Sequence, residues 1–590
     1  MFRSIFIFSF ILGCYSFCFS AIPPLEREVT LTLNNERISE GLNKIQDQTG
    51  LIFSYSSSII NNLQPISINI KQKTVREVLA LLLPNHISYR AKNNYIILKE
   101  RSVEKNPKKT ELSGYVYDKT TDKKIANVTI YDKTSLQSVT TDEYGYYSIS
   151  IPIKNQSIIV NKENYRDTVL KLSDLKNNPI TFINLDPVND SLRDQDSVLW
   201  KKKLQDFSNY TNDLFKKFKG YVNTLNVKDT LSRNFQISLI PFVGTNGLLS
   251  GNIYNKYSVN IFGGYSRGTT LLEVGGFFNV DRENVKGAQI ASFFNVVGDS
   301  VKGAQLTGFF NVTGKNMNGI QAAGFANVNL GKTKGVQLTG FLNFCKDSLK
   351  GVQAVGYVNY AKNVEGVQAS GFINYSARTL KGVQVTGFVN HAKEVDGMQL
   401  AGFVNHAHKV NGFQVAVLNI SDSCNGLPIG VLSFVKHGLH QVEFSGDELF
   451  YGNVSFRTGV NKFYNIVSIG TDLNSSNPLW TVGYGLGTSF KIKNKLRSDI
   501  TLNSHHISKG NFALTTSEQY KLYWGLEYKF TKRFSVAAGP VFNLYLSDTY
   551  DKDYNSIYNK IAPYYMFNNT SSNGYNLKGW VGGKLALRFF

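Results

Sequence analysis

At 590 residues, with 50 Gly, 32 Tyr, 40 Phe and a formal net charge of +21, the chain is too long for one domain and leans toward a β-rich envelope protein. Its four cysteines exclude a disulfide framework, because Cys14 and Cys18 fall in the leader and Cys345 and Cys424 stand far apart. The basic excess is spread over turns and linkers with no aromatic-basic reading motif, which excludes a nucleic-acid partner and leaves solvated turns and loops.

Residues 1–20 carry Arg3, the apolar run IFIFSFILGCYSFCF, and Cys18-Phe19-Ser20 ahead of Ala21, the three parts of a secretory signal peptide. Ile11-Leu12-Gly13-Cys14 leaves lipoprotein cleavage open. No later segment is continuously apolar over about eighteen residues, so an exported chain with a membrane home has to cross by strands.

Over 26–100 the pattern predicts a small α+β domain. A strand at 29–34 leads to a helix from Ser39 with Ile38, Leu42 and Ile45 on one stripe and Gly50 at its end; strands follow at 51–55 and 66–70. Thr74 and Glu77 then form a capping box that opens the helix VREVLALLL, and ISYRAKNNYIILK closes the domain as a hairpin. LTLNNERISEGLNKIQDQTGLIFSYS and VREVLALLL resemble the secretin and TonB short N-terminal (STN) domain. That resemblance implies a periplasmic place and, as partner, a periplasmic regulator of anti-sigma type.

Over 110–187, LSGYVYDKTTDKKIANVTIYDK, SVTTDEYGYYSISIP and IIVNKENYRDTVLKL predict short strands broken by turns, a small β-sandwich. The run resembles the carboxypeptidase regulatory-like domain, with Gly114, Asp118, Asp142, Gly145 and Tyr165 in its familiar places. It has no His-x-x-Glu pair, so the resemblance implies an accessory fold rather than a peptidase. Asp118 and Asp142 invite a calcium reading, but isolated turn aspartates are ordinarily turn formers. In surface-nutrient receptors of Bacteroidetes type such modules precede a plug and barrel, and no plug is read here. Residues 188–232 read as a linker with an amphipathic helix carrying Leu199, Leu204, Phe207, Leu214, Phe215 and Phe218.

From 287 to 419 one phrase recurs nine times, with its Gly-x-Gln glycines at 287, 303, 319, 335, 351, 366, 382, 397 and 412. It reads GAQLTGFFN, GVQLTGFLN or GVQASGFIN, and each copy is one structural unit. In 335–344, Val336, Leu338, Gly340, Leu342 and Phe344 alternate with Gln337, Thr339, Phe341 and Asn343, the period of a strand with one apolar and one polar face. Ten such residues and a turn (CKDSLK, AKNVE, SARTLK) suit a membrane-crossing strand and hairpin. The competing arrangement is a β-solenoid with one coil per copy and stacked Gln and Asn ladders. The phrase GVQxxGFxN also resembles the surface-repeat modules of bacterial envelope proteins, which implies a location more than an activity.

Further strands are expected at 236–244, 258–264 and 271–280 before the repeats, and at 442–446, 452–460, 464–471, 480–492, 496–506, 520–530, 534–546 and 579–590 after them. Long and short connections alternate in this tail, and the chain ends in Phe590, both habits of outer-membrane barrels. The expected fold is therefore mainly β, with a large antiparallel transmembrane β-barrel of about 18–22 strands over 233–590, preceded by the α+β domain and the sandwich.

On that fold Gln305, Asn311, Gln321, Asn327, Gln337, Asn343, Gln353, Asn359, Gln368, Asn374, Gln384, Asn390, Gln399 and Asn405 face the lumen. No zincin, nucleophile-elbow, Walker or dinucleotide motif is present, so no catalytic, cofactor or metal residue is assigned. His391, His406 and His408 would meet as metal ligands only on parallel, in-register strands. On antiparallel strands His391 and His406 lie on the order of 25 Å apart. Two functions are consistent with this reading: an integral outer-membrane barrel in contact with lipid, acting in solute passage or envelope signalling, or a cell-surface structural or adhesion protein built on a solenoid. Neither is an enzyme.

Overall fold

The computed structural model describes residues 22–84, 86–100, 109–152, 157–175, 180–188, 219–473, 478–510, 517–550, 557, 561–562 and 564–590. The expected signal peptide and the amphipathic piece at 199–218 lie outside the described residues. The chain divides into two compact units, Met1–Leu231 with Asn246–Ile253 and Ser232–Thr245 with Tyr254–Phe590.

In the first unit, the strand Glu28–Glu36 pairs antiparallel with Ile66–Thr74, four residues longer than expected. The helix Ile38–Thr49 closes on Gly50, whose φ of 68° is the left-handed turn that glycine adopts without strain. Thr74 Oγ1 accepts from the Glu77 N–H at 3.3 Å and Glu77 Oε2 accepts from the Thr74 N–H at 2.9 Å. This is the capping box read from Thr-Val-Arg-Glu, and the helix Val75–Leu82 that it opens buries Val75, Val78, Leu79 and Leu82 against Leu31, Leu33, Leu42 and Ile45. Ile87–Lys92 and Tyr95–Glu100 form the closing hairpin, with Ile52–Ser54 parallel beside it.

The sandwich packs a three-stranded sheet, in which Thr181–Leu185 runs parallel to Lys109–Asp118, on a four-stranded one. Gly114 sits where a Cβ would meet Thr181 O at 1.7 Å, so the two strands could not pair with any side chain there. Asp118 accepts from the N–H groups of Thr120 and Thr121 and from Tyr165 OH, and Asp142 from those of Tyr144 and Tyr146. Both are turn formers.

Residues 219–231, expected to belong to the linker, and 246–253 complete this unit. Asn223 Oδ1, on the helix Lys219–Asn226, accepts from Thr129 Oγ1 at 2.8 Å; Asn226 Nδ2 donates to Asn127 O at 2.7 Å. Val227, Leu231, Leu249 and Ile253 share a buried cluster with Tyr131 and Leu136. A fragment ending at 187 strips that cover, whereas one spanning 21–253 keeps it. The longer fragment is expected to be more stable by about 3 kcal/mol, the worth of one or two buried aliphatic side chains. Equal urea midpoints for the two would remove residues 219–253 from the core of the unit.

In the second unit, the repeats form a parallel β-solenoid. Each copy is one coil with two short strands, as in Val301–Thr307 and Phe310–Thr313, and each pairs in parallel register with the next copy: Gly303 with Gly319, Gln305 with Gln321, Asn311 with Asn327. The stack continues to Leu427–Val435. After it, eight of nine strands among the described residues, from Leu439–Asp447 to Tyr575–Phe589, pair antiparallel and close on themselves where Glu443 meets Arg588 in register; the ninth, Phe567–Thr570, is a short strand paired to the last.

The chain is mainly β and contains a closed antiparallel barrel, as expected, but the barrel has eight strands rather than about 18–22 and begins at Leu439 rather than near 233. The reason lies in the corner of each repeat. An unbroken strand would put Phe341 on the same face as Gln337 and Asn343; the chain bends at Gly340, leaving Gln337 and Asn343 inside and Phe341 outside, 43% exposed. Near-identical units also gain more in parallel stacking, where like meets like at every position, than in hairpins, where it cannot.

Candidate functional site

Two interiors carry the polar side chains of the second unit. The first is the solenoid. All fourteen of the residues expected to line a lumen are buried in the coil stack, which contains no lumen. Gln337 Nε2 donates to Gln321 Oε1 and Gln353 Nε2 to Gln337 Oε1, both at 2.8 Å, so the glutamine row donates toward the N-terminus. The asparagine row donates the other way: Asn327 Nδ2 to Asn343 Oδ1, and Asn343 Nδ2 to Asn359 Oδ1, at 3.0 Å. The second amide hydrogen of Asn343 reaches Ala354 O at 2.9 Å. Burying amides is tolerable because the rows pair them; a single gap costs roughly 1–3 kcal/mol.

The ends of the rows differ chemically from the middle. Glu273 occupies the glutamine position of its coil and accepts from Gln289 Nε2 at 2.9 Å, while Asp281 accepts from the same nitrogen at 2.7 Å and from Ser266. At the other end Gln414 faces Pro428, which has no amide to offer, and Gln414 Oε1 is left without a partner. Burial, then the adjacent Glu273, raises Asp281 well above the usual carboxylate range. A group that holds its proton more tightly when folded contributes stability that is complete below the unfolded value of about 3.9 and is lost as pH rises toward the folded one. Asp281→Asn is therefore expected to flatten the decline in denaturant midpoint above pH 4. Parallel pH profiles for variant and parent would show that Asp281 is ionised in the fold.

His391 and His406 lie in register on adjacent coils, not on the order of 25 Å apart. Their rings stack at 5.0 Å with the Nδ1 atoms 2.9 Å apart, and His408 meets His406 edge-on. Burial, then His406 and His408, pushes His391 down to about 4. Burial, then His408, lowers His406 as well, and one Nδ1 of the pair donates to the other. Among the described residues no group of three or more His, Cys, Asp or Glu side chains is placed to hold a metal ion.

The second interior is the barrel's. Arg588 Nε donates to Glu443 Oε2 at 2.7 Å, its Nη1 reaches both Asp499 and Glu527, Arg457 pairs with Asp499 at 2.9 Å, and Lys584 pairs with Glu443 at 2.5 Å. Three carboxylates thus meet three cations, and Lys521 pairs with Asp447 at 2.5 Å above them. A cavity of about 30 Å³ lined by Asp447, His505, Lys521 and Lys584 has room for roughly one water. Toward the long-loop end, Phe450, Ile557, Ile561 and Trp580 form a buried apolar cluster.

The outer wall has the opposite polarity: Phe444, Phe456, Ile469, Leu502, Leu522, Trp524 (63% exposed) and Leu585 alternate with the inward groups. Phe534 contacts both Phe530 and Phe589 at the short-turn end, and Trp480 and Tyr520 stand toward the other.

The inward charges were missed in the sequence, although each stands alone between outward apolar neighbours: Val442-Glu443-Phe444, Leu526-Glu527-Tyr528, Leu587-Arg588-Phe589. That alternation was the available signal. A family model described as the CarboxypepD_reg-like domain matches residues 112–194. No curated protein and no solved structure matches the chain.

Proposed function

We propose that the protein is an integral outer-membrane protein, exported by its leader, whose eight-strand barrel is an anchor rather than a passage. The supporting observation is the barrel's polarity: an apolar outer wall with aromatic residues toward both ends around an ion-paired interior, the arrangement lipid demands. A lumen occupied by Arg457, Arg588, Glu443, Asp499 and Glu527 argues against solute passage and favours the envelope-signalling branch of this reading. The chain enters at Leu439 and ends at Phe590 on the short-turn side, which in outer-membrane barrels is periplasmic. On this topology the STN-like domain is periplasmic and free to dock a regulator of anti-sigma type, and the solenoid lies on the same side.

Heat-modifiable migration of the detergent-purified protein tests the anchor, and a protein soluble without detergent would sink it. The second reading, a surface-displayed solenoid serving structure or adhesion, gains from the coil stack itself. Protease added to intact cells separates the two: cleavage of the Lys-rich coil edge without outer-membrane permeabilisation favours display.

A further inference from the structure

The solenoid has two unlike edges. At one, Lys302, Lys334, Lys350 and Lys381 are exposed, and the interior beneath them is apolar: Cys345, Leu349, Val364, Leu380, Val395 and Val410. This is the ordinary arrangement of a protein edge in water. At the other edge the order is reversed. Beneath it lie the amide rows, and on its surface nine rings stack in file from Phe277 through Phe341 and Tyr357 to Phe403, with centroids 4.8–5.2 Å apart. Leu306, Ile320, Leu338, Val385 and Val415 flank the file, all exposed. At the strand spacing of about 4.8 Å the file is about 40 Å long, a larger continuous apolar surface than a soluble monomer carries without a partner.

We infer that this aromatic edge is immersed in lipid, in the leaflet met by the barrel's short-turn end. Continuity with the barrel wall identifies the occupant. Gly430, flanked by Ile429 and Val431 in the last coil, accepts hydrogen bonds from Asn465 Nδ2 at 2.6 Å and Tyr484 OH at 2.9 Å on the barrel's outward face, and Thr458 Oγ1 donates to Ser433 O at 2.9 Å. The apolar edge therefore adjoins the wall carrying Val467 and Leu486, both exposed, across these three hydrogen bonds. The backbone permits immersion, because every interior coil is paired to the coil before and after it, which meets the demand lipid makes of a closed barrel. The amide rows beneath the rings meet the same demand for side chains along the stack, Gln414 Oε1 at the last coil excepted. The lysine edge faces away, at headgroup or water level.

The inference rests on the barrel crossing the bilayer, so the test reports on both. Phe341→Trp and Tyr357→Trp, each in the full chain, are reconstituted in phosphatidylcholine vesicles whose acyl chains are brominated. The added emission is read as the difference from the parent. Trp524, on the barrel wall, is read from Trp524→Phe, and Asn316→Trp marks the charged edge. The expected result is that tryptophan at 341 and at 357 is quenched by brominated chains as fully as Trp524 and is inert to aqueous iodide, while that at 316 responds to iodide alone. Iodide quenching at 341 and 357 with Trp524 still quenched by bromine would overturn the immersed edge and leave the anchor standing. Protection of 341 and 357 from both quenchers would mean that protein covers the edge, and would overturn it equally. A Trp524 untouched by brominated lipid would bring down the barrel reading and this inference together.

Discussion

Arg588→Ala is expected to lower the stability of the barrel by about 3–5 kcal/mol, the cost of leaving a buried charge without its partner. The Arg588 side chain is 1% exposed and is shared by Glu443, Asp499 and Glu527. Its loss leaves three carboxylates against Arg457 and Lys584. The drop should appear as a lower temperature for the heat-modifiable transition and a lower urea midpoint in detergent. Arg588→Met combined with Glu443→Gln removes one charge of each sign and should recover most of the loss, since an uncharged pair of similar volume carries no desolvation penalty. Full stability in the single variant would mean that water screens the lumen, and the case for a closed anchor would fall with it.

Gly351→Ala is expected to cost on the order of 4 kcal/mol, near the upper limit for one substitution. The φ of Gly351 is +139°, and a Cβ there would lie 2.0 Å from Gly335 O of the preceding coil. The coil would have to rise by more than an ångström, parting Gln353 from Gln337 and Asn359 from Asn343, and each broken amide pair adds a desolvation cost. Because the positive-φ glycines at 303, 319, 335, 351, 366, 382 and 397 form one column, the damage should split the stack into two shorter ones and admit protease near residue 351. Lys350→Ala, one residue away, removes only an exposed pair with Glu365 at 3.0 Å and should change stability by less than about 0.5 kcal/mol. If the two variants unfold together, coil packing does not depend on the glycine column.

Local chemistry was legible where one side chain decides one backbone group. The Thr74–Glu77 box, the Gly50 terminus and the Asp118 and Asp142 turns all stand where the sequence placed them. So do the hairpins of the tail: the turns at 461–462, 492–495 and 530–533 are short, and the connection after Asp548 is long. The repeats misled for a physical reason. Polar and apolar faces under one period say which residues shun water, and both a hairpin barrel and a coil stack satisfy that division. What separates them is the bend at Gly340, and a glycine at such a spot is equally at home within a strand. The amides expected to face a lumen lie buried in the coil stack, and their partners are other amides. The ion network escaped notice because charges scattered singly over distant strands meet only when the sheet closes.

The opposed sense of the two amide rows bears on how long the stack can be. A single file of head-to-tail amides would polarise with each added member, as peptide units do along a helix, and its ends would need growing compensation. Two files pointing opposite ways cancel coil by coil. A coil inserted or deleted leaves the field at Glu273 and at Ser433 unaltered, and the stack behaves as a one-dimensional array in which each unit answers only to its neighbours. Length is then an independent variable, open to duplication and loss of whole repeats without redesign of either terminus, and the length of the aromatic edge is set by copy number alone.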